Sequence, residues 1–248
     1  MKSKQNLLIT LGCSWTEGVG IYESLNVTDT TKDKDLFHRL GWPNRVGETL
    51  GFDKVVNLGY GGASNSSQVK LFYEYIKKIN LNNYNILVIF MMTDPVRFSF
   101  FIDKSIKSYT LSNKNQKMMQ SYLNEIKDNL WDLLLEQKFY IESLENLCLN
   151  KDIYLILTSW NETYMQFRKI HNNKNHLFKE TNEIKPPIKN NYSFCGHPNA
   201  NGYEWISKKI IEGIKENHPN WYGKKTNKNL KWEWLGDVNL YKFKNHII

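Results

Sequence analysis

Apolar and polar positions fall into blocks whose spacing predicts strands alternating with helices. Leu7 to Leu11 is a short apolar run that stops at Gly12-Cys13-Ser14, the pattern of a buried strand meeting a loop. Leu36 to Leu50 has helical spacing and ends at Gly51, a natural C-terminal signal. Lys54 to Leu58 reads as a second strand, followed by the turn Gly59-Tyr60-Gly61-Gly62. Ser64 or Asn65 then caps a helix running to about Ile79. Ile86 to Met92 is a continuous apolar run, typical of a parallel strand covered on both faces. Asp94 to about Met119 is irregular and turn-rich. A long amphipathic helix is predicted from Tyr122 to Leu149, with Leu130, Leu133, Leu134, Ile141, Leu144 and Leu147 on one side. Ile153 to Thr158 is a fourth strand, and Trp160 to Ser193 a long polar loop. Asn199 to Ile214 is a last amphipathic helix.

This alternation predicts an α/β fold, a flavodoxin-like parallel sheet with helices on both faces in three α/β/α layers. One domain is expected over residues 1–218, with a Trp- and Lys-rich extension, 219–248, packed on it. Trp221, Trp232, Trp234, Tyr241 and Phe243 carry too much apolar area for a free segment. Packing explains those rings more simply than sugar stacking does. In such sheets ligands bind at the carboxyl ends of the strands. Ser14, the glycine turn and Thr93-Asp94 all stand just after predicted strands.

Composition narrows the function classes only a little. The 33 Lys and Arg exceed the 25 Asp and Glu by eight, so acidic partners are favoured in general terms. The basic residues are not gathered into one patch, so nucleic acid is not expected as a partner. No stretch reaches the length of a membrane span, and no membrane partner is expected. The N-terminal apolar run is short, lacks a cleavage site and leads into the Gly-Cys-Ser turn, so it reads as a strand and not a signal peptide. Cys13, Cys148 and Cys195 show no paired spacing, which fits a reducing, cytoplasmic compartment or a virion-associated one. His171 and His176, five apart, do not share a helix face and are not expected to hold a metal. There is no Walker A loop or dinucleotide fingerprint, and no cofactor is expected.

A serine on a tight turn after a buried strand can act as a nucleophile if a base takes its proton and donors hold the oxyanion. Ser14 supplies the hydroxyl and Gly59 to Gly62 an unshielded backbone amide. His197, just before the last helix, stands where a general base would be held in place.

Together these blocks resemble the SGNH (GDSL-type) hydrolase family. Gly12-Cys13-Ser14-Trp15 is similar to its first block, with Cys13 where Asp is usual. Asn57-Leu58-Gly59-Tyr60-Gly61-Gly62-Ala63-Ser64 resembles the second, and Cys195-Gly196-His197-Pro198-Asn199-Ala200-Asn201-Gly202-Tyr203 the last. The resemblance spans Leu7 to about Ile214 and implies the SGNH hydrolase fold. It implies Ser14 as nucleophile, the Ser14 and Gly62 amides as oxyanion donors, and His197 as base. Two positions depart from the family pattern. The third block normally supplies an Asn donor, where this chain has Met91-Met92-Thr93-Asp94-Pro95-Val96-Arg97. Thr93 is the expected replacement donor, and Asn65, Asp94 and Arg97 are expected to bind substrate. The triad acid is normally two or three residues before the histidine, where Cys195 and Phe194 stand.

The expected activity is that of a serine esterase or deacetylase working through an acyl-enzyme on an acylated small molecule or glycan. The alternative is a degenerate SGNH domain that binds a glycan or partner without turnover. The oligomeric state is not legible in the sequence.

Overall fold

The structure, a computed structural model, describes residues 3–21, 38–95, 97–102, 105–109, 130–161, 164–171, 173–178, 184–187, 190–221 and 230–235. Strands β1 (Gln5–Gly12), β2 (Lys54–Asn57), β3 (Tyr84–Met92), β6 (Ile153–Ser159) and β7 (Lys231–Trp234) form one parallel sheet. Its order is β6-β3-β1-β2-β7. A separate antiparallel hairpin pairs β4 (Phe98–Ile102) with β5 (Ser105–Tyr109). The helices are α1 (Ser14–Glu17), α2 (Trp42–Leu50), α3 (Asn65–Ile76), α4 (Leu130–Asn150), α5 (Tyr164–Ile170) and α6 (Ala200–Asn217). Among the described residues no helix is long and apolar enough to cross a membrane.

Strand residues alternate between two cores. Leu7, Ile9 and Leu11 of β1 join Phe72 of α3, Ile141 and Leu144 of α4 and Phe167 of α5 on one face. Leu8 joins Trp42 and Val46 of α2 and Ile206, Ile210 and Ile214 of α6 on the other. These are the three expected layers. The order 2-1-3-6 is flavodoxin-like, and chain direction diverges between β1 and β3, so the ligand crevice belongs at their carboxyl ends.

Several boundaries moved for identifiable reasons. The helix expected from Leu36 is interrupted at Gly41, which is extended (φ −63, ψ 155) and precedes Pro43 near the start of α2. Gly51 closes α2 in the left-handed region at φ 73, as its sequence position suggests. The expected helix from Tyr122 is described from Leu130 onward, and residues 122–129 lie outside the described set. The stretch after Asp94, read as irregular, contains the β4–β5 hairpin, and the polar loop after Trp160 contains α5.

The extension enters the sheet itself. β7 pairs with β2 from Lys54↔Lys231 to Asn57↔Trp234, and Lys54 Nζ meets Glu233 Oε2 at 2.7 Å. His38 stacks on Trp234 at 4.5 Å, and Trp221 on Phe52 at 5.8 Å. Tyr241 and Phe243 fall outside the described residues. Replacing Trp232 and Trp234 together by Ala is expected to lower the melting temperature by roughly 6–12 °C. This follows from losing about 1.5 kcal/mol per half-buried ring, at about 2–4 °C for each kcal/mol. Differential scanning calorimetry checks it, and an unchanged melting point would make β7 a passive edge.

Candidate active site

β1 must turn sharply into α1, and the residue at the corner has little choice. Gly12 has φ 151, and a Cβ there would collide with Thr16 Oγ1 and stand 2.8 Å from the Met91 carbonyl. The corner is held by Gln68 Oε1, which accepts from the Gly12 amide at 3.0 Å. Ser14 thereby becomes the first residue of α1, with its side chain at the carboxyl end of the sheet. Cys13 precedes it as a buried N-cap that makes no side-chain cap bond.

The turn after β2 is tied to the same corner by Asn57. Its Nδ2 donates to the Thr16 carbonyl at 2.8 Å, and its Oδ1 accepts from the Gly59 amide at 2.9 Å. Oδ1 also accepts from Thr10 Oγ1 at 3.1 Å. From the other side Trp234 Nε1 donates to the Gly59 carbonyl at 3.0 Å. Gly62 takes φ 75 in this turn. Neither the Ser14 nor the Gly62 amide donates to a protein acceptor among the described residues, so both are available to an oxyanion.

The loop before α6 carries His197. Its frame is the Ser193 amide on the His197 carbonyl (2.8 Å) and the Gly196 amide on the Ser193 carbonyl (3.0 Å). Ser193 Oγ donates to the Gly20 carbonyl at 2.5 Å, joining this loop to the one after α1. Asn199 caps α6 by accepting from the Gly202 amide at 3.0 Å. Tyr203, one turn into α6 and fully buried, donates to the Val19 carbonyl at 2.8 Å and lies 3.4 Å from the Ser14 carbonyl.

These anchors bring two residues 183 positions apart to hydrogen-bonding distance, His197 Nε2 to Ser14 Oγ at 2.8 Å. His197 Nδ1 lies 3.3 Å from Cys195 Sγ. If Nε2 accepts the Ser14 proton, Nδ1 carries the ring proton and donates it to that sulfur. A thiol thus stands where a triad acid would. A search for a carboxylate before the histidine passes over it. None of the three cysteines is in a disulfide, and Cys195 is exposed.

Other expected site residues are placed differently. Asn65 is buried, with Oδ1 accepting from the Thr93 amide at 2.8 Å and Nδ2 donating to the Thr93 carbonyl at 3.1 Å. It therefore clamps the start of α3 to the end of β3, with both ends of its buried amide engaged there. The Thr93 hydroxyl is also sealed from solvent and without a partner among the described residues. Thr93 borders a small pocket of about 10 Å³ with Gln137, Tyr164 and Phe167. A sealed hydroxyl cannot reach a substrate oxyanion in this conformation, which corrects the donor role expected of Thr93. Thr93→Val is accordingly expected to leave kcat within about threefold of wild type, far from the roughly 100-fold cost of losing a true oxyanion donor. Steady-state kinetics on a short-chain ester decides it. Asp94 and Arg97 lie on the turn leaving β3, with the Arg97 amide on the Asp94 carbonyl at 3.0 Å.

Beside the nucleophile Trp15 stacks on Trp160 at 4.7 Å and meets the edge of Tyr192 at 6.0 Å. These rings come from α1, the end of β6 and the His197 loop and pack together against the core beside Ser14, with Trp15 buried.

His171 and His176 meet although they share no helix face, Nδ1 to Nε2 at 3.1 Å. Glu145 Oε2 accepts from His171 Nε2 at 3.1 Å, and Tyr164 Oη meets His176 Nδ1 at 2.5 Å. Each ring nitrogen thus already faces a protein group. Burial pushes the His176 pKa down to about 4. Burial works to raise that of Glu145, but hydrogen bonds from His171 and Asn175 hold it below its ordinary value. Both groups oppose protonation in the folded state, so both favour folding above their unfolded pKa values. For His176 this stability, about 3 kcal/mol from the shift between 6.5 and 4, is lost as pH falls through that window. Urea unfolding at pH 7 and pH 4.5 should show the drop, largely absent in His176→Gln.

No family model matches the chain, and no curated protein matches it in sequence. Solved structures do. A carbohydrate esterase, whose active site is described as displaying divergent catalytic and non-catalytic binding functions, aligns over 89% of this chain and 72% of its own, with TM-score 0.53 and 12% identity. The psychrotrophic esterase EstA from Pseudoalteromonas sp., in a structure inhibited by monoethylphosphonate, aligns over 85% of this chain and 97% of its own, with TM-score 0.48 and 11% identity. At these identities the likeness is one of fold.

Proposed function

We propose that the chain is a serine esterase or deacetylase of the SGNH type, acting on an acylated small molecule or glycan. The observation that carries this reading is the 2.8 Å contact between Ser14 Oγ and His197 Nε2 at the carboxyl end of a parallel sheet. The esterase fold of the structural neighbours agrees with it.

His197 Nε2 takes the Ser14 proton as Oγ attacks the acyl carbon. The carbonyl oxygen becomes an oxyanion, held by the Ser14 and Gly62 amides. Collapse of this intermediate breaks the ester bond, and the proton on Nε2 passes to the leaving alkoxide. Water then gives a proton to His197 and attacks the acyl-serine, releasing the carboxylic acid and restoring Ser14. Cys195 steadies the ring through Nδ1. On this reading the packed cluster of Trp15, Trp160 and Tyr192 beside Ser14 favours a short acyl group, and Asp94 and Arg97 contact the substrate.

Hydrolysis of p-nitrophenyl acetate, butyrate and octanoate, alongside acetate release from acetylated xylan, tests the reading. Acetyl substrates should be preferred. No hydrolysis of any of them above the Ser14→Ala background would favour the alternative, a non-hydrolytic binding domain.

A further inference from the structure

At the opposite end of the sheet lies a cavity of about 410 Å³, within the range of small-molecule sites. It is lined by Tyr84 and Asn85 at the start of β3, Asp152 and Tyr154 around the start of β6, and Asn220 and Trp221 after α6. Tyr84 pairs with Gln5 in the sheet register and Met91 with Gly12, so seven strand steps, about 23 Å, separate this cavity from the Ser14 corner. It is therefore not part of the crevice described above.

We propose that this cavity binds a neutral saccharide ring. The Tyr154 and Trp221 rings stand 5.9 Å apart at 45°, and Tyr154 is fixed by its hydroxyl on His218 Nδ1 at 3.0 Å. Tyr154 and Trp221 pack against one core of the sheet, and Tyr84, Ile86 and Ile153 belong with the other, so the cavity meets both faces at this end of the strands. An angled pair of rings such as Tyr154 and Trp221 accepts the C–H face of a sugar. Around it stand one carboxylate and two carboxamides, Asp152, Asn85 and Asn220. The Asp152 and Asn220 side chains have no protein partner among the described residues. Short, unspent donors and acceptors of this kind match vicinal hydroxyls.

The lining also excludes other ligand classes. No Lys or Arg lines the cavity, although the chain carries a net charge of +8, so a phosphate or carboxylate would find no counter-charge. A compact cation would use Asp152 and the rings but leave Asn85 and Asn220 idle. A neutral ring uses the Tyr154–Trp221 pair together with Asp152, Asn85 and Asn220. The site stands independently of the esterase reading, since none of its residues serves Ser14.

Saturation-transfer NMR on the full-length Ser14→Ala protein tests the proposal, with cellobiose and N,N′-diacetylchitobiose as probes and tetramethylammonium as the cationic control. At least one disaccharide should bind at millimolar concentration. Asn220→Ala and Asp152→Gly should each weaken that binding by about 3- to 10-fold, the effect of one lost hydrogen bond. Both positions are exposed, and glycine suits the Asp152 backbone at φ 53, so both variants should keep the parent melting temperature. The proposal is overturned if neither disaccharide binds, if binding is unchanged in both variants, or if tetramethylammonium binds where the sugars do not.

Discussion

Ser14→Ala is expected to lower kcat on an acetyl ester by about 10⁴- to 10⁶-fold, and His197→Ala by a similar factor. Both variants remove one end of the same 2.8 Å contact. The two residues act as a unit, so the double variant should be little worse than either single one. Ser14→Ala leaves the Gly12 corner, the Asn57 bonds and the Tyr203 anchor in place, so the melting temperature should hold. Equal activity in wild type and Ser14→Ala would remove Ser14 from the chemistry.

The second large effect is a gain. Sulfur is a weak acceptor for the Nδ1 proton, and a neutral thiol does little for the imidazolium that forms as Ser14 attacks. Cys195→Asp puts a carboxylate at the same point of the loop. It is expected to raise kcat/KM by about 10- to 100-fold, a fraction of the roughly 10⁴-fold that an oriented carboxylate contributes in other triads. The carboxylate also favours the protonated ring, so the acidic limb of the pH–rate profile should move to higher pH. Cys195→Ala should lower kcat/KM modestly. A role confined to loop structure would leave the acidic limb where it is in both variants, and that result would remove Cys195 from the mechanism.

Much of the fold was legible because the central strands are covered on both faces. Leu7 to Leu11, Ile86 to Met92 and Ile153 to Thr158 are predominantly apolar runs because each lies between two helical layers. β7 was not legible. Lys231-Trp232-Glu233-Trp234 is a four-residue edge strand whose polar residues face solvent or Lys54, and four residues carry too short a pattern to stand out. α5 was hidden for the same reason, seven residues inside a polar loop.

The site divided along a similar line. Ser14, Gly62 and His197 occupy positions set by chain geometry, a corner after a strand, a glycine turn and a helix entrance, and such positions leave marks in sequence. Thr93 and Asn65 were misread because position after a strand does not say which way a side chain turns. Asn65 turns inward to hold both backbone groups of Thr93, and the Thr93 hydroxyl is sealed within. Cys195 stands at the usual acid position in sequence, but its contact with Nδ1 was not read because a thiol is no carboxylate. Gly196 between the two takes φ 76, and Sγ lies 3.3 Å from the ring. Asn57 and Tyr203 stood inside the quoted blocks, but their anchoring bonds cross the fold and have no local signature.

The central claim is that the 2.8 Å pair makes Ser14 a nucleophile, and a fluorophosphonate reads this directly because it phosphonylates only an activated serine. Intact-mass and peptide mass spectrometry of the treated protein should show one phosphonyl group on Ser14 in wild type. Ser14→Ala should carry none, and His197→Ala should react far more slowly. An unmodified wild-type protein, or a label carried on another residue and retained in Ser14→Ala, would contradict the account.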